Sequence, residues 1–142
     1  MIYIEESSFE RRTHLISELA NQESIELVIW LYPESSIDSI IGESIFASTT
    51  VNAIPVTTYK SGGITRCTQR LRLTGTLINK ITQEKNFIAK NCDSLCVYSL
   101  KSPEWQACII GHEGMILVKD TTLLSNLKSL GFNASLHPPS WW

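Results

Sequence analysis

Residues 25–32 read I-E-L-V-I-W-L-Y, a run of β-branched, aromatic and aliphatic side chains interrupted only by Glu26. Successive strand residues point to opposite faces, so a run that is apolar at both odd and even positions has to be covered on both. The run is therefore expected to be an interior strand of a sheet, and the remaining chain must supply two covering layers. With 142 residues, 43% of them hydrophobic, the chain is long enough and apolar enough for one such core.

The segments around it divide into helical and strand periods. A short strand, I-Y-I-E, precedes "SSFERRTHLISELANQ", where Phe9, Ile16, Leu19 and Ala20 share a helical face and Ser7 with Glu10 has capping-box spacing. After Pro33, "SSIDSIIGESIFAS" places Ile37, Ile40, Ile41 and Ile45 at helical spacing, which predicts a helix within 35–48. "VNAIPVTTY" predicts a strand that Pro55 pushes to an edge or a bulge, because a proline nitrogen cannot donate to the ladder. Beyond the "KSGGIT" turn, "TRCTQRLRLT" alternates: Cys67, Gln69, Leu71 and Leu73 point one way, and Arg66, Thr68, Arg70, Arg72 and Thr74 the other.

A helix follows in "TLINKITQEKNFIAKN", with Leu77, Ile78, Ile81 and Ile88 on one face. Strands are predicted over 94–100 and 104–110, joined through the tight turn "GHEG" to a third beginning at Met115. "TTLLSNLKSLGF" predicts a short helix, with Thr121 or Thr122 as its N-cap and Gly131 at the position after its C-terminus. No repeat or linker divides the chain. The expected fold is a single α+β domain over 1–142, with a mixed or mainly antiparallel sheet, three to four helices packed on it, and an extended tail from about residue 132.

The longest apolar runs, "LVIWLY" and "MILV", are strand-sized and well short of the ~20 residues of a membrane span. The acidic start "MIYIEESSFERR" is unlike a secretory signal, so the expected location is the cytoplasm, with Cys67, Cys92, Cys96 and Cys108 as reduced thiols. Net charge is −2 but unevenly spread. Residues 1–50 carry nine acidic against two basic side chains, a balance of −7; the remainder carries ten basic against five acidic, a balance of +5. Such a chain either pairs its two halves internally or presents an acidic field to a basic partner.

Few residue sets suggest chemistry. Cys92 and Cys96, with Cys67, Cys108 and His112, lack the second close pair of a structural zinc site, so no metal is expected. His112 beside Glu113 in the "GHEG" turn is the best general-base candidate, with Cys92 and Cys108 the nearest thiols; a solvated turn histidine is the plainer reading. "KSGGIT" lacks the spacing and the lysine of a phosphate loop, and no cofactor is expected. Arg66, Arg70 and Arg72 on one strand face, with Lys60 and Lys80 nearby, could track a phosphate backbone. No aromatic alternates with them to stack bases, and the acidic first third would repel a polyanion. A nucleic-acid-binding or accessory enzyme role for Arg66, Arg70, Arg72, His112 and Glu113 stands as the alternative to a protein-binding role.

Taken together, the acidic segment "YPESSIDSIIGES", the "EWQACIIGHEGMILVKD" hairpin and the aromatic tail "NASLHPPSWW" give a build that resembles the bacterial immunity proteins of contact-dependent growth inhibition systems. The resemblance implies tight binding to a cognate toxin, often a basic nuclease, by blocking or distorting its active site. In such a role Glu34, Asp38 and Glu43 would stand in for the phosphates of the toxin's substrate.

Pro138 and Pro139 restrict the tail to an extended path and lower the entropy lost when it is fixed. Trp141 and Trp142 in an extended chain would diverge, one docking on the domain and the other, taken as Trp142, facing a partner protein or a second copy of the chain. The plainer expectation is that both close the protein's own core.

Overall fold

A computed structural model describes residues 1–22, 24–31, 46–50, 69–83, 85–86 and 92–142. Among them, eight strands form one sheet: β1 (Ile2–Glu5), β2 (Ile25–Leu31), β3 (Phe46–Thr50), β4 (Gln69–Arg72), β5 (Cys92–Ser99), β6 (Trp105–Ile110), β7 (Met115–Val118) and β8 (Asn133–Ser135). The helices are α1 (Phe9–Gln22), α2 (Gly75–Gln83) and α3 (Leu124–Ser129), the last entered through one 3-10 turn, Thr121–Leu123. Across the sheet the strands run β3-β4-β2-β5-β6-β7-β1-β8, and every neighbouring pair is antiparallel. The fold is α+β, as the patterning predicted.

Strand β2 lies inside the sheet between β4 and β5, and Ile25, Leu27, Val28 and Ile29 are buried on it. Its alternation sorts the core into two layers. Ile25, Leu27 and Ile29 join Leu95, Val97, Ala107, Ile109, Ile116 and Val118 under the helices, which contribute Leu15, Ile16, Leu19, Ile81 and Leu127. Val28 points the other way, into a second cluster with Cys96, Tyr98, Cys108, Ile110, Met115 and Leu117. Burial of each such aliphatic side chain contributes about 2 kcal/mol, so the doubly buried strands dominate the stability.

Three local expectations are corrected. Phe46–Thr50 is a strand that takes up the last residues of the segment 35–48 in which a helix was expected; an aromatic followed by Ala, Ser and two threonines fits a pleated ladder better than a helix end. The cap of α1 is Ser8, one residue later than the Ser7/Glu10 spacing implied. The Ser8 hydroxyl accepts from the Arg11 amide at 3.3 Å, while the Glu6 carboxylate accepts from the Ser8 amide at 2.9 Å. Asp120, not Thr121 or Thr122, caps the turn into α3, its carboxylate accepting from the Thr122 amide at 2.9 Å and hydroxyl at 2.6 Å. Both donors reach one carboxylate oxygen, Oδ1.

Gly131 does end α3 as predicted. It adopts φ 79°, its amide donates to the Lys128 carbonyl at 2.9 Å, and the Phe132 amide donates to the Leu127 carbonyl at 3.0 Å. These two bonds make a Schellman turn with Phe132 and Leu127 as its buried apolar pair. The rest of the helix predicted within 35–48, up to residue 45, and the strand predicted over 51–59 lie outside the described residues.

Candidate functional site: the aromatic tail and the β6–β7 turn

The Schellman turn delivers the chain to the open side of β1. There Asn133–Ser135 pairs as β8, with Tyr3 opposite Ser135 and Glu5 opposite Asn133. The tail is thus a sheet edge before it is a tail, a strand the sequence reading missed because three residues carry too little alternation to register. Beyond it the Ser135 hydroxyl accepts from the His137 amide at 3.0 Å, and the Trp142 amide donates to the Pro139 carbonyl at 3.1 Å, closing a turn over the last four residues.

That turn corrects the expectation of an extended end with diverging indoles. Trp141 Nε1 donates to Glu5 Oε2 at 3.2 Å, and Trp142 Nε1 donates to Glu113 Oε2 at 2.5 Å. Trp142 also meets Tyr3 edge-on, with ring centroids 5.6 Å apart and planes at 70°. Glu5 is shared, because the Asn133 side-chain amide donates to its other oxygen at 3.4 Å. Neither ring is swallowed by the fold: Trp141 is 56% exposed and Trp142 39%. Of the two, Trp142 is the more engaged with its own protein and Trp141 faces out further. A cleft of about 160 Å³ opens beside them, lined by Tyr3, Glu5, Asn133, Ser135, His137 and Pro138.

The carboxylate that receives Trp142 is held in place by the turn it belongs to. Gly114 takes φ 64°, and its amide donates to the Gly111 carbonyl at 3.3 Å. From the other side, the Glu6 amide donates to the Gly114 carbonyl at 2.7 Å, and buried Arg12 donates from Nη2 to the Gly111 carbonyl at 3.1 Å and from Nε to the Glu6 carbonyl at 2.9 Å. Arg12, counted in the sequence only as a charge, is thus the clamp between the end of β1 and this turn. His112 Nε2 lies 3.8 Å from Glu113 Oε1, so the predicted pair is adjacent, but Glu113 is already bound to Trp142. Of the two thiols proposed near His112, Cys92 and Cys108, the second is fully buried, with its sulfur 3.4 Å from that of Cys96.

The arginine face is seen in part. Arg66 lies outside the described residues, Arg70 stands on the backbone of β4, and Arg72 is exposed at the register position opposite Glu26. Arg72 also lines an open cleft of about 380 Å³ with Ser24, Thr74 and Gly75 at the start of α2. Glu34, Asp38 and Glu43 all lie outside the described residues. On the far side of β6, Lys119 sits 2.8 Å from Glu104 and 4.7 Å over the Trp105 ring, and this hydrogen-bonded ammonium holds the Glu104 carboxyl below its usual range. Among the described residues no group of three or more His, Cys, Asp or Glu side chains is arranged to hold a metal ion, and no helix is long and apolar enough to cross a membrane.

No family model, curated protein or solved structure matches the chain.

Proposed function

We propose that this chain is a non-enzymatic binding protein, an immunity protein that neutralises a cognate toxin by occupying its active site, with a basic nuclease domain as the partner its charge suits. The observation that carries the reading is the pair of half-exposed indoles whose N–H groups are already satisfied by Glu5 and Glu113. Tryptophans used only to close a core would be buried. Here they are oriented, hydrogen-bonded and still offer ring surface, so little rotamer freedom is lost when a partner covers them. The two carboxylates beside them suit a cationic counterpart, since an indole face and an acid together favour a lysine or arginine side chain.

The acidic balance of the first 50 residues supports the same partner chemistry. Glu34, Asp38 and Glu43 are proposed as the phosphate-mimicking part of the interface, and Trp141 joins Trp142 as an anchor. The test is co-expression with the protein encoded by the adjacent reading frame, followed by size-exclusion chromatography and a growth assay. A stable complex and rescue of growth are expected; absence of any complex at low and at moderate salt overturns the proposal.

A further inference from the structure

Tyr3 and Glu5 alternate onto the same face of β1, away from the helices, where Tyr3 packs against the second core cluster. Their partners in register on β8, Ser135 and Asn133, share that face, so all four side chains stand on paired strands and not on a loop. Above them the tail turns back through His137, Pro138 and Pro139, and together these residues line the cleft of about 160 Å³. Glu5 is exposed there, and both its oxygens are oriented by neutral donors, Trp141 Nε1 at 3.2 Å and Asn133 Nδ2 at 3.4 Å. No cationic side chain among the described residues pairs with it, in contrast to Glu6, Glu10 and Glu104, which hold Arg11, Lys85 and Lys119. A carboxylate oxygen has more than one acceptor position, so each oxygen of Glu5 keeps room for a further donor.

We infer that this cleft takes one arginine side chain of the partner protein, its guanidinium against Glu5 and its methylene stem along Tyr3, Pro138 and Pro139. The inference rests on the reading of the chain as a binding protein and names the partner group that the tail receives. Size selects a side chain: the cleft's 160 Å³ is well under the ~300–1,000 Å³ of a small-molecule pocket and several times the ~30 Å³ share of one water. Charge selects a cation, since a carboxylate held by neutral donors gains a charge-assisted hydrogen bond without breaking an ion pair of its own. Shape selects arginine over lysine. The guanidinium is planar and more weakly hydrated than an ammonium; its fork of donors suits the two oxygens of one carboxylate, and its flat faces lie well against carbon-rich walls. A lysine would bring a compact, strongly hydrated charge that gains less from the proline rings. By binding Glu5, the Trp141 indole fixes the carboxylate before the guest arrives, so less ordering remains to be done on binding.

The test reads the Trp141 indole N–H, which donates to Glu5, in heteronuclear NMR spectra of the isotope-labelled full chain. The probe is N-acetyl-arginine methylamide, with N-acetyl-lysine methylamide as its comparator at matched ionic strength. The arginine probe is expected to move that signal along a saturating curve in the millimolar range, at concentrations about tenfold below those the lysine probe needs, and to leave the Trp105 indole where it is. Glu5→Gln keeps an acceptor for Trp141 but removes the charge, and should abolish saturation; Glu113→Gln, which changes the neighbouring acid, should leave it intact. In the complex with the proposed toxin partner, Glu5→Gln should weaken binding about tenfold, mainly through faster dissociation. A Trp141 signal that ignores the arginine probe, that answers the lysine probe equally, or that saturates unchanged in Glu5→Gln overturns the assignment, as does toxin affinity indifferent to Glu5→Gln. The same spectra show whether each variant keeps its fold, and the comparison of arginine with lysine on the wild-type chain decides the matter where one does not. The titration needs no toxin, so absence of a complex counts against the immunity reading alone, while a silent cleft in a chain that binds its toxin counts against the cleft alone.

Discussion

Arg12 shows how much a single side chain can hold that composition reports only as charge. Its buried guanidinium donates to two carbonyls far apart in sequence, those of Glu6 and Gly111. A hydrogen bond to a charged group contributes about 1.5–3 kcal/mol, so Arg12→Ala is expected to lower stability by about 3 kcal/mol, read as a drop in the urea midpoint at unchanged slope. Its neighbour Arg11 works locally, lying 4.1 Å over the Phe132 ring and donating to the Leu130 carbonyl at 3.1 Å and to Glu6 at 3.2 Å. At the tail, Trp141→Ala and Trp142→Ala should separate. The first removes mostly exposed surface and one exposed hydrogen bond to Glu5, and should leave the thermal midpoint nearly unchanged while weakening binding to the proposed toxin partner by about 2 kcal/mol. The second also loses the Tyr3 packing and the Glu113 hydrogen bond and should cost about 1 kcal/mol of stability as well. Equal effects of the two on folding, measured by thermal denaturation, would refute this division.

The elements near the C-terminal end are specified by their ends more than by their interiors. Helix α3 has six residues, too short to persist alone, and relies on the Asp120 cap, the Gly131 turn and the burial of Leu127. Asp120→Ala should cost about 1 kcal/mol. The effect should depend on pH with a definite sign. Hydrogen bonds from the Thr122 hydroxyl, and then from the Thr122 amide, hold the Asp120 carboxyl below its usual range. Its contribution is therefore complete above the ordinary aspartate value, about 3.9, and is lost as pH falls through the lower folded value. Wild type and Asp120→Ala should accordingly converge in stability in strong acid, and a gap independent of pH would contradict the assignment. At Gly131 a side chain would be forced into the left-handed region, so Gly131→Ala is expected to lose about 1 kcal/mol even though a Cβ there would clash with nothing, Arg11 Nη2 being its nearest neighbour at 3.7 Å.

Across the whole molecule, periodicity made the sheet legible and gave no sign of what the ends of the chain do. Strands β2, β5, β6 and β7 could be read because each buries side chains on alternating or both faces over four residues or more, and that constraint is written into local composition. The charge asymmetry was legible too, and carries a prediction at this scale. Binding to the proposed toxin partner through an acidic surface should weaken steeply between low and moderate salt, mainly through a slower association rate. Salt-independent association measured by stopped flow would remove charge from the proposed mechanism. What the sequence by itself determined is the α+β class, the doubly buried centre and the glycines at two tight turns, all consequences of near-neighbour patterning. Only the tertiary structure decided that residues 133–135 become an edge strand, that Arg12 clamps a turn ninety-nine residues away, that Cys96 faces Cys108, and that both terminal indoles find a carboxylate. Each of these depends on which strand lies beside which, and strand order is set by the packing of the whole chain, not by any stretch of it.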